Sequence, residues 1–376
     1  RGGGHRNALP KYGVFRADLR SEQPGELIPE SSASYARELR GRLKAGRLRM
    51  STSYLPAETR YSGASYRRCG RSGLRLPPVS LGLWQHCHDV ELVRALVRAG
   101  FDRGMTHLDL ANNYGPPPGA AEACLGRVLA EDLKPYRDEL VISTKAGWDM
   151  WEGPYGDFGS RKYLIASLDQ SLQRMGLDYV DIFYHHRPDP DTPLEETIGA
   201  LADLVRQGKA LYAGISNFSG ERICEAAAIA TDLKVPLIIN QVKYNMLTRD
   251  PEQTVLDQSA ACGQGVIAFS PLEHGLLSDR YLDGIPENSR AAKGINNLGK
   301  RLSDELLAKL RKLNTIAQDR GQTLAQLALT WVLRHDEIVS VITGASKVSQ
   351  LEQTLDVANA APLSDDQLAA IDGVLG

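Results

Sequence analysis

No apolar run in this 376-residue chain approaches the roughly 18 residues that a membrane-spanning helix needs, which excludes an integral helical membrane protein. Cysteine is scarce. Cys69, Cys87, Cys124, Cys224 and Cys262 are odd in number, widely scattered and without CxxC or zinc-finger spacing, so neither a disulfide framework nor a structural zinc site is indicated. They read as reduced, buried thiols of a cytoplasmic protein. Charge of one sign is lacking too: 44 Lys and Arg stand against 46 Asp and Glu, a formal net charge of −2, with none of the basic excess that nucleic acid attracts. What is present, 42% hydrophobic and 24% charged residues, is the composition of an ordinary globular protein.

One region departs from that average. Residues 1–60 hold 12 Lys and Arg against 6 Asp and Glu, a net +6, which leaves the rest of the chain at −8. Residues 35–50 (YARELRGRLKAGRLRM) have the pattern of a basic amphipathic helix. Apolar density there is too low for a core, the chain starts Arg-Gly-Gly-Gly, and Met50 makes a sensible start codon. Residues 1–60 are therefore expected to be a basic extension, disordered or non-native, and residues 61–376 a single domain.

From Tyr66 onward, short apolar runs alternate with amphipathic helical stretches. The runs are VSLGL from Val79, HLDLA from His107, LVISTKA from Leu140, YVDIFYHH from Tyr179, ALYAGIS from Ala210, LIINQV from Leu237, GVIAFSP from Gly265 and VSVITG from Val339. Runs of Val, Ile and Leu without strict polar alternation suit parallel strands covered on both faces. Between them, stretches such as ELVRALVRAGFDRG, KYLIASLDQSLQRMG, PLEETIGALADLVRQGK and PEQTVLDQSAACGQG carry apolar residues at helical spacing. Eight such β/α units predict an α/β fold, a closed (β/α)8 TIM barrel. YRRCGRSGLRLP reads as a hairpin capping the barrel floor, and extra C-terminal helices begin at Ser303, Thr323 and Ser364, the last with a Ser364/Gln367 capping box. The segment 272–300, long and rich in Gly and Asn, has the length of a functional loop.

In a parallel barrel the site forms at the carboxyl ends of the strands. Asp109, Lys145, His186, Ser216 with Asn217, Gln241 and Ser270 end successive runs, and Tyr114 follows Asp109 in a loop. A carboxylate and an ammonium inside apolar strands are costly to bury apart and can pair. A charged Lys145 beside Tyr114 favours the phenolate and is expected to draw the phenol from about 10 toward working pH, as a general acid requires. Strand alternation sends His185 and His186 to opposite faces, and His186, on the face of Ile182 and Tyr184, is expected to look into the mouth.

At these residues the chain resembles the aldo-keto reductases, from Tyr66 to its end, and within them the branch related to potassium-channel β-subunits. DLANNYG, STKAG, DIFYHHRPD, GISNFS, NQVKYN, IAFSPL and ITGASKVSQLEQT carry the resemblance in order. It implies an oxidoreductase that reduces aldehydes or ketones with NADPH, small phosphorylated aldehydes such as L-glyceraldehyde 3-phosphate among them, in a cytoplasmic tetramer or octamer. Tyr114 would be the acid, Asp109 and Lys145 would tune it, and His186 would orient the carbonyl. Trp84, Ser216, Asn217, Gln241 and Phe269 would serve the nicotinamide end, Ser270 and Leu272 the pyrophosphate, and Gly344, Ser346, Lys347 and Gln350 the adenosine end, with Ser346 and Lys347 at the 2′-phosphate. Gln353 and Thr354 stand where the family has Glu and Asn. Trp84, Trp148, Trp151, Arg161 and Arg187 would shape the substrate pocket.

Other motifs fall short. GPYGDFG lacks dinucleotide-fold spacing, GINNLGKR has Arg301 where a phosphate loop needs Ser or Thr, and His86-Cys87-His88 lacks a carboxylate, so no metal is expected. Two rival functions remain: a Schiff-base aldolase using Lys145, disfavoured by an acidic neighbour that keeps the amine protonated, and an NADPH-binding regulatory sensor with little turnover.

Overall fold

The computed structural model describes residues 54–84, 89–287 and 289–376. The basic segment 35–50 and the His86-Cys87-His88 triplet lie outside them.

Eight parallel strands close on themselves: β3 (Val79–Gly82), β4 (His107–Asp109), β5 (Val141–Ala146), β6 (Val180–His185), β7 (Ala210–Ser216), β8 (Leu237–Lys243), β9 (Gly265–Phe269) and β10 (Ile338–Thr343), with β10 pairing back onto β3. Each predicted apolar run supplies one strand. The short antiparallel pair β1 (Arg67–Arg68) and β2 (Arg75–Leu76) precedes them. Cys69 and Leu76 of this hairpin pack with Ile182, Ile239, Ile267 and Val339 of the barrel interior, so the hairpin plugs the floor as expected. Arg67 ties it down, donating to the carbonyls of Leu333, His335 and Ile338.

Helices α1 (Val90–Phe101), α2 (Ala120–Val128), α3 (Arg161–Met175), α4 (Leu194–Arg206), α5 (Gly220–Asp232) and α6 (Val255–Ala261) surround the barrel, followed by α7 (Asp304–Asp319), α8 (Leu324–Val332), α9 (Val348–Leu355) and α10 (Asp365–Leu375). Their starts are chemically marked. Asp89, Ser160, Ser219, Ser303, Thr323 and Ser364 each accept a hydrogen bond from a first-turn N–H, and Thr323 with Gln326 and Ser364 with Gln367 complete capping boxes. The apolar layer between strands and helices forms the main core. The helix foreseen from Pro251 begins only at Val255, because Asp250–Glu252 form a 3-10 turn and Thr254 makes no cap.

The chain joins the barrel earlier than residue 61. Tyr54 donates to Asp102 Oδ1 at 2.7 Å, the Ala57 N–H donates to the same oxygen, and Arg60 pairs with Glu139 at 2.8 Å. Cys69 and Cys124 are buried, but Cys224 and Cys262, whose sulfurs lie 3.8 Å apart, are only half-buried, so the expectation that every thiol is buried fails there. Glycine matters most at the exit of β5. Gly147 has φ +153°, and a Cβ there would lie 3.0 Å from the His186 Cβ, so the absent side chain lets the β5 and β6 exits approach.

Candidate active site

Two residues of β4 and β5 start the site. Asp109 and Lys145 point into the barrel, both fully buried, with Nζ to Oδ2 at 2.6 Å. The ammonium also donates to the Leu110 carbonyl at 2.5 Å and to the Tyr114 hydroxyl at 3.3 Å. An ammonium has three hydrogens, and all three are thereby engaged. The Tyr114 oxygen consequently accepts from Lys145 and keeps its own proton to offer elsewhere. Asp109 Oδ1 accepts from Ser143 Oγ at 2.8 Å and from Gln241 Nε2 at 3.1 Å. Burial is the largest single influence on Lys145 and acts downward, but Asp109 and Tyr114 together outweigh it and hold the pKa above 10.5.

The expectation for Tyr114 is corrected. Burial is the strongest influence on the phenol and Asp109 adds to it; Lys145 acts downward, as expected, but the net pKa lies above the usual 10. At neutral pH the group is a protonated phenol. His186 faces Tyr114 edge-on, with ring centroids 6.0 Å apart. Its pKa is pushed well below 6.5 by burial and then by Lys145, His185 and Arg187, so the imidazole is neutral. His185 turns the other way, against Phe218 at 5.9 Å, which matches the alternation argument.

These groups open into a cleft of about 1180 Å3 at the carboxyl end of the barrel. Asp109, Tyr114, His186, Asn217, Gln241, Phe269, Ser270, Leu272, Gly344, Ser346, Lys347 and Gln350 line it, together with Trp84, Trp148 and Arg187. Lys145 lies beneath Tyr114, and Ser216 is buried beside Asn217, which donates to its hydroxyl and to the His186 carbonyl. Asn217 and Ser270 both adopt left-handed backbone, at φ 62° and 51°. A serine seldom does so without a reason, and strain of this kind gathers at ligand sites.

The substrate-side residues do not all converge. Arg187 is sandwiched between Trp148 at 3.8 Å and Phe158 at 4.1 Å and pairs with Asp157 at 2.6 Å, so the 147–159 loop forms one wall of the cleft. Trp148 meets the His186 ring edge-on. Trp151 does not reach this wall. It packs on Tyr163 at 5.1 Å and borders a separate surface groove with Tyr155, Arg161 and Lys162, while Arg161 pairs with Asp203. Tyr163, fully buried, donates its hydroxyl to the Trp148 carbonyl at 2.6 Å and so ties down the loop between these two tryptophans.

Sequence reasoning missed His274, Arg280, Arg290 and Gln326, which also line the cleft. The length of segment 272–300 was the available signal, and its two arginines could have been singled out within it. Arg280, Arg290 and Lys347 have no ion-pair partner among the described residues. Three uncompensated cations around one cleft, with the N-terminus of α9 beside Lys347, suit a ligand bearing several phosphate groups. Among the described residues no group of three or more His, Cys, Asp or Glu could hold a metal ion. No helix among them is long and apolar enough to cross a membrane.

Comparison with known proteins agrees with this geometry. The model of the aldo/keto reductase family matches residues 78–375. The chain is 53% identical over 327 residues to L-glyceraldehyde 3-phosphate reductase of Escherichia coli (strain K12), covering 85% of this chain and 94% of that protein. It is 38% identical over 307 residues to a probable voltage-gated potassium channel subunit beta of Arabidopsis thaliana, covering 79% and 92%. To a putative subunit of the same kind from Schizosaccharomyces pombe it is 36% identical over 301 residues, covering 77% and 87%.

Proposed function

The chain belongs to the aldo/keto reductase family, and from that premise we propose that it reduces aldehydes or ketones to alcohols with NADPH, using Tyr114 as the acid. One observation carries the reading: a protonated phenol, its oxygen engaged by Lys145 and its own hydrogen free, stands beside a neutral imidazole at the inner end of a cleft lined with unpaired cations. NADPH, when bound, supplies a hydride to the carbonyl carbon. Tyr114 gives its proton to the carbonyl oxygen as that oxygen becomes an alkoxide. Lys145, above 10.5 and donating to the phenol oxygen, stabilises the phenolate left behind. His186, being neutral, offers an N–H to the same carbonyl oxygen and orients it without placing a second cation beside Lys145. The amide of Asn217, the Gln241 carbonyl and the Phe269 ring fit the nicotinamide end, while Arg280, Arg290, Ser346 and Lys347 fit phosphate oxygens.

The substrate we propose is small. Trp84, Trp148 and Arg187 leave an aromatic, cationic mouth that suits a short phosphorylated aldehyde, and the relative named for L-glyceraldehyde 3-phosphate supports that choice. A regulatory role with little turnover has support in the names of the 38% and 36% relatives. The intact proton-donating pair favours turnover. Assembly as a tetramer or octamer and a cytoplasmic setting rest on the family resemblance alone, and light scattering of the purified chain tests the first.

The test is Tyr114→Phe. Turnover of L-glyceraldehyde 3-phosphate and of a panel of aldehydes should fall by about 10²–10⁴, while NADPH affinity measured by fluorescence stays within about twofold. Undiminished reduction by this variant would remove Tyr114 from the mechanism, and NADPH binding with no turnover in the unmodified protein would favour the sensor.

A further inference from the structure

We infer that His107, buried in the barrel interior below the site, is a positioning residue for Asp109, acting as its Nε2–H tautomer through the Ser143 hydroxyl. The inference rests on the reading that Tyr114, Lys145 and Asp109 work as one unit. His107 and Asp109 are two residues apart on β4 and share its inward face, as Ser143 and Lys145 do on β5. His107 Nε2 lies 3.0 Å from Ser143 Oγ, and Ser143 Oγ lies 2.8 Å from Asp109 Oδ1. On the other side His107 Nδ1 lies 2.8 Å from Ser80 Oγ, which lies 2.6 Å from Ser340 Oγ. One unbroken file of hydrogen bonds thus runs from β10 through β3, β4 and β5 to the carboxylate.

The direction of every bond in the file follows from its end. An ionised Asp109, paired with Lys145, can only accept. Ser143 must therefore spend its single proton on Asp109, and its oxygen is left to accept from His107. The proton on His107 is then on Nε2. Burial is the main influence that lowers this imidazole to a pKa of about 4; Asp109 acts upward and Lys145 downward, and the ring is neutral at working pH. A neutral ring has one N–H, so Nδ1 is bare and accepts from Ser80, which in turn accepts from Ser340. The ring's hydrogen-bond partners are the Ser80 and Ser143 hydroxyls, the charged groups acting on it are Asp109 and Lys145, and none of the side chains of Ser80, His107, Ser143 or Ser340 is left without a partner.

Packing alone does not account for this file. The interior of a barrel of this kind is normally filled with bulky branched apolar side chains, and four fully buried polar residues on four neighbouring strands depart from that. A one-directional file polarises each member in turn and delivers a strengthened donor to Oδ1, with Gln241 as the second donor there. Oδ2 is left to Lys145. The imidazole is rigid, so it also fixes where the Ser143 hydroxyl points.

The experiment compares His107→Leu, His107→Gln and Tyr114→Phe with the unmodified protein. Each is assayed for melting temperature, NADPH affinity, kcat and KM for aldehyde reduction, and the pH dependence of kcat. Leucine should lower kcat about tenfold, the kinetic equivalent of one hydrogen bond to a charged group, with KM and NADPH affinity within about twofold. It should also change the pH dependence of kcat, because Ser143 would then donate to the carboxylate without the ring to polarise and aim it. Glutamine, whose Nε2 can donate to Ser143 as the imidazole does, should restore both. Nitrogen-15 NMR of the unmodified protein should show the His107 ring protonated at Nε2 and bare at Nδ1 from pH 5 to pH 8, and this readout stands even if the leucine variant fails to fold. An Nδ1–H tautomer, or a folded leucine variant with unchanged kcat and pH profile, overturns the inference. If Tyr114→Phe keeps its activity, the functional reading beneath it has failed instead.

Discussion

Replacing Lys145 with Met leaves Asp109 as a buried anion without its cation, and the consequences can be separated. Both side chains are essentially excluded from solvent, at 0% and 2% exposure, and the pair is 2.6 Å long. Removing one partner of such a pair costs about 3–5 kcal/mol, most of it the penalty of the stranded charge. For a chain of this size that corresponds to a fall in Tm on the order of 4–7 °C. Because the Lys145 pKa is raised, its contribution is complete below 10.5 and fades only as pH rises past the folded value, so a melt at pH 7 reads it in full. Adding Asp109→Asn removes the stranded charge, and the double variant should regain at least half of the lost Tm. Activity should not follow: both variants lack the group that stabilises the phenolate and should reduce aldehydes about 10²-fold or more slowly. Calorimetry and steady-state assays on the four proteins of this cycle give the answer. If Lys145→Met melts within about 1 °C of the unmodified protein, the pair is not the buried ion pair described. If the double variant recovers activity along with stability, Lys145 serves only the fold.

Three further outcomes follow from other parts of the molecule. Lys347→Ala should weaken NADPH binding about tenfold while leaving NADH within twofold, read by cofactor titration, because only the former carries the extra phosphate. Glu252 is bonded to Arg249, Tyr244 and Arg334, and although burial acts upward, these partners hold it at about 2, below its ordinary 4.5. Its stabilisation is therefore present in full above 4.5 and lost as pH falls toward 2, so the denaturation difference between unmodified protein and Glu252→Gln should shrink across that window and vanish below it. Tyr114, lying above 10, should make aldehyde reduction nearly flat from pH 6 to pH 9 as far as the acid is concerned, while alcohol oxidation, which needs the phenolate, should still be rising at pH 9; parallel profiles in the two directions would contradict the assignment.

The barrel was legible because parallel strands covered on both faces leave near-continuous runs of Val, Ile and Leu, and each run became a strand of the closed sheet. The ends of those strands gave the polar residues, since position along a strand fixes depth in a barrel. Direction off a strand was harder to read. Trp151 and Arg161 fall in the loop and helix after β5, where position in the sequence did not reveal side-chain direction, and Trp151 packs on Tyr163 beside a separate groove. Arg280 and Arg290 were lost for a related reason, because they lie in an irregular segment whose path over the cleft depends on contacts such as Glu273 with Lys243 and Arg301. The pKa of Tyr114 was misjudged because a sequence reveals which charge is near but not how completely water is shut out.

Counting hydrogens explains why a raised phenol pKa and an acid role belong together. Lys145 has three N–H groups and three acceptors, Asp109, Leu110 and Tyr114, so none of its protons is free to reach the cleft. Only the phenol proton is left pointing outward, beside an imidazole whose second charge is suppressed by the same burial and the same ammonium. A phenol drawn down to neutral pH would spend part of its time as phenolate, unable to protonate anything. In the reaction we propose, a phenol held above 10 stays loaded until the carbonyl oxygen gains enough negative charge to take the proton, and the Lys145 charge 3.3 Å away would then stabilise what remains. Asp109 is what keeps that charge in place. The barrel interior beneath it, with His107 and three serines where apolar side chains are the rule, gives the carboxylate a fixed set of donors before any ligand arrives.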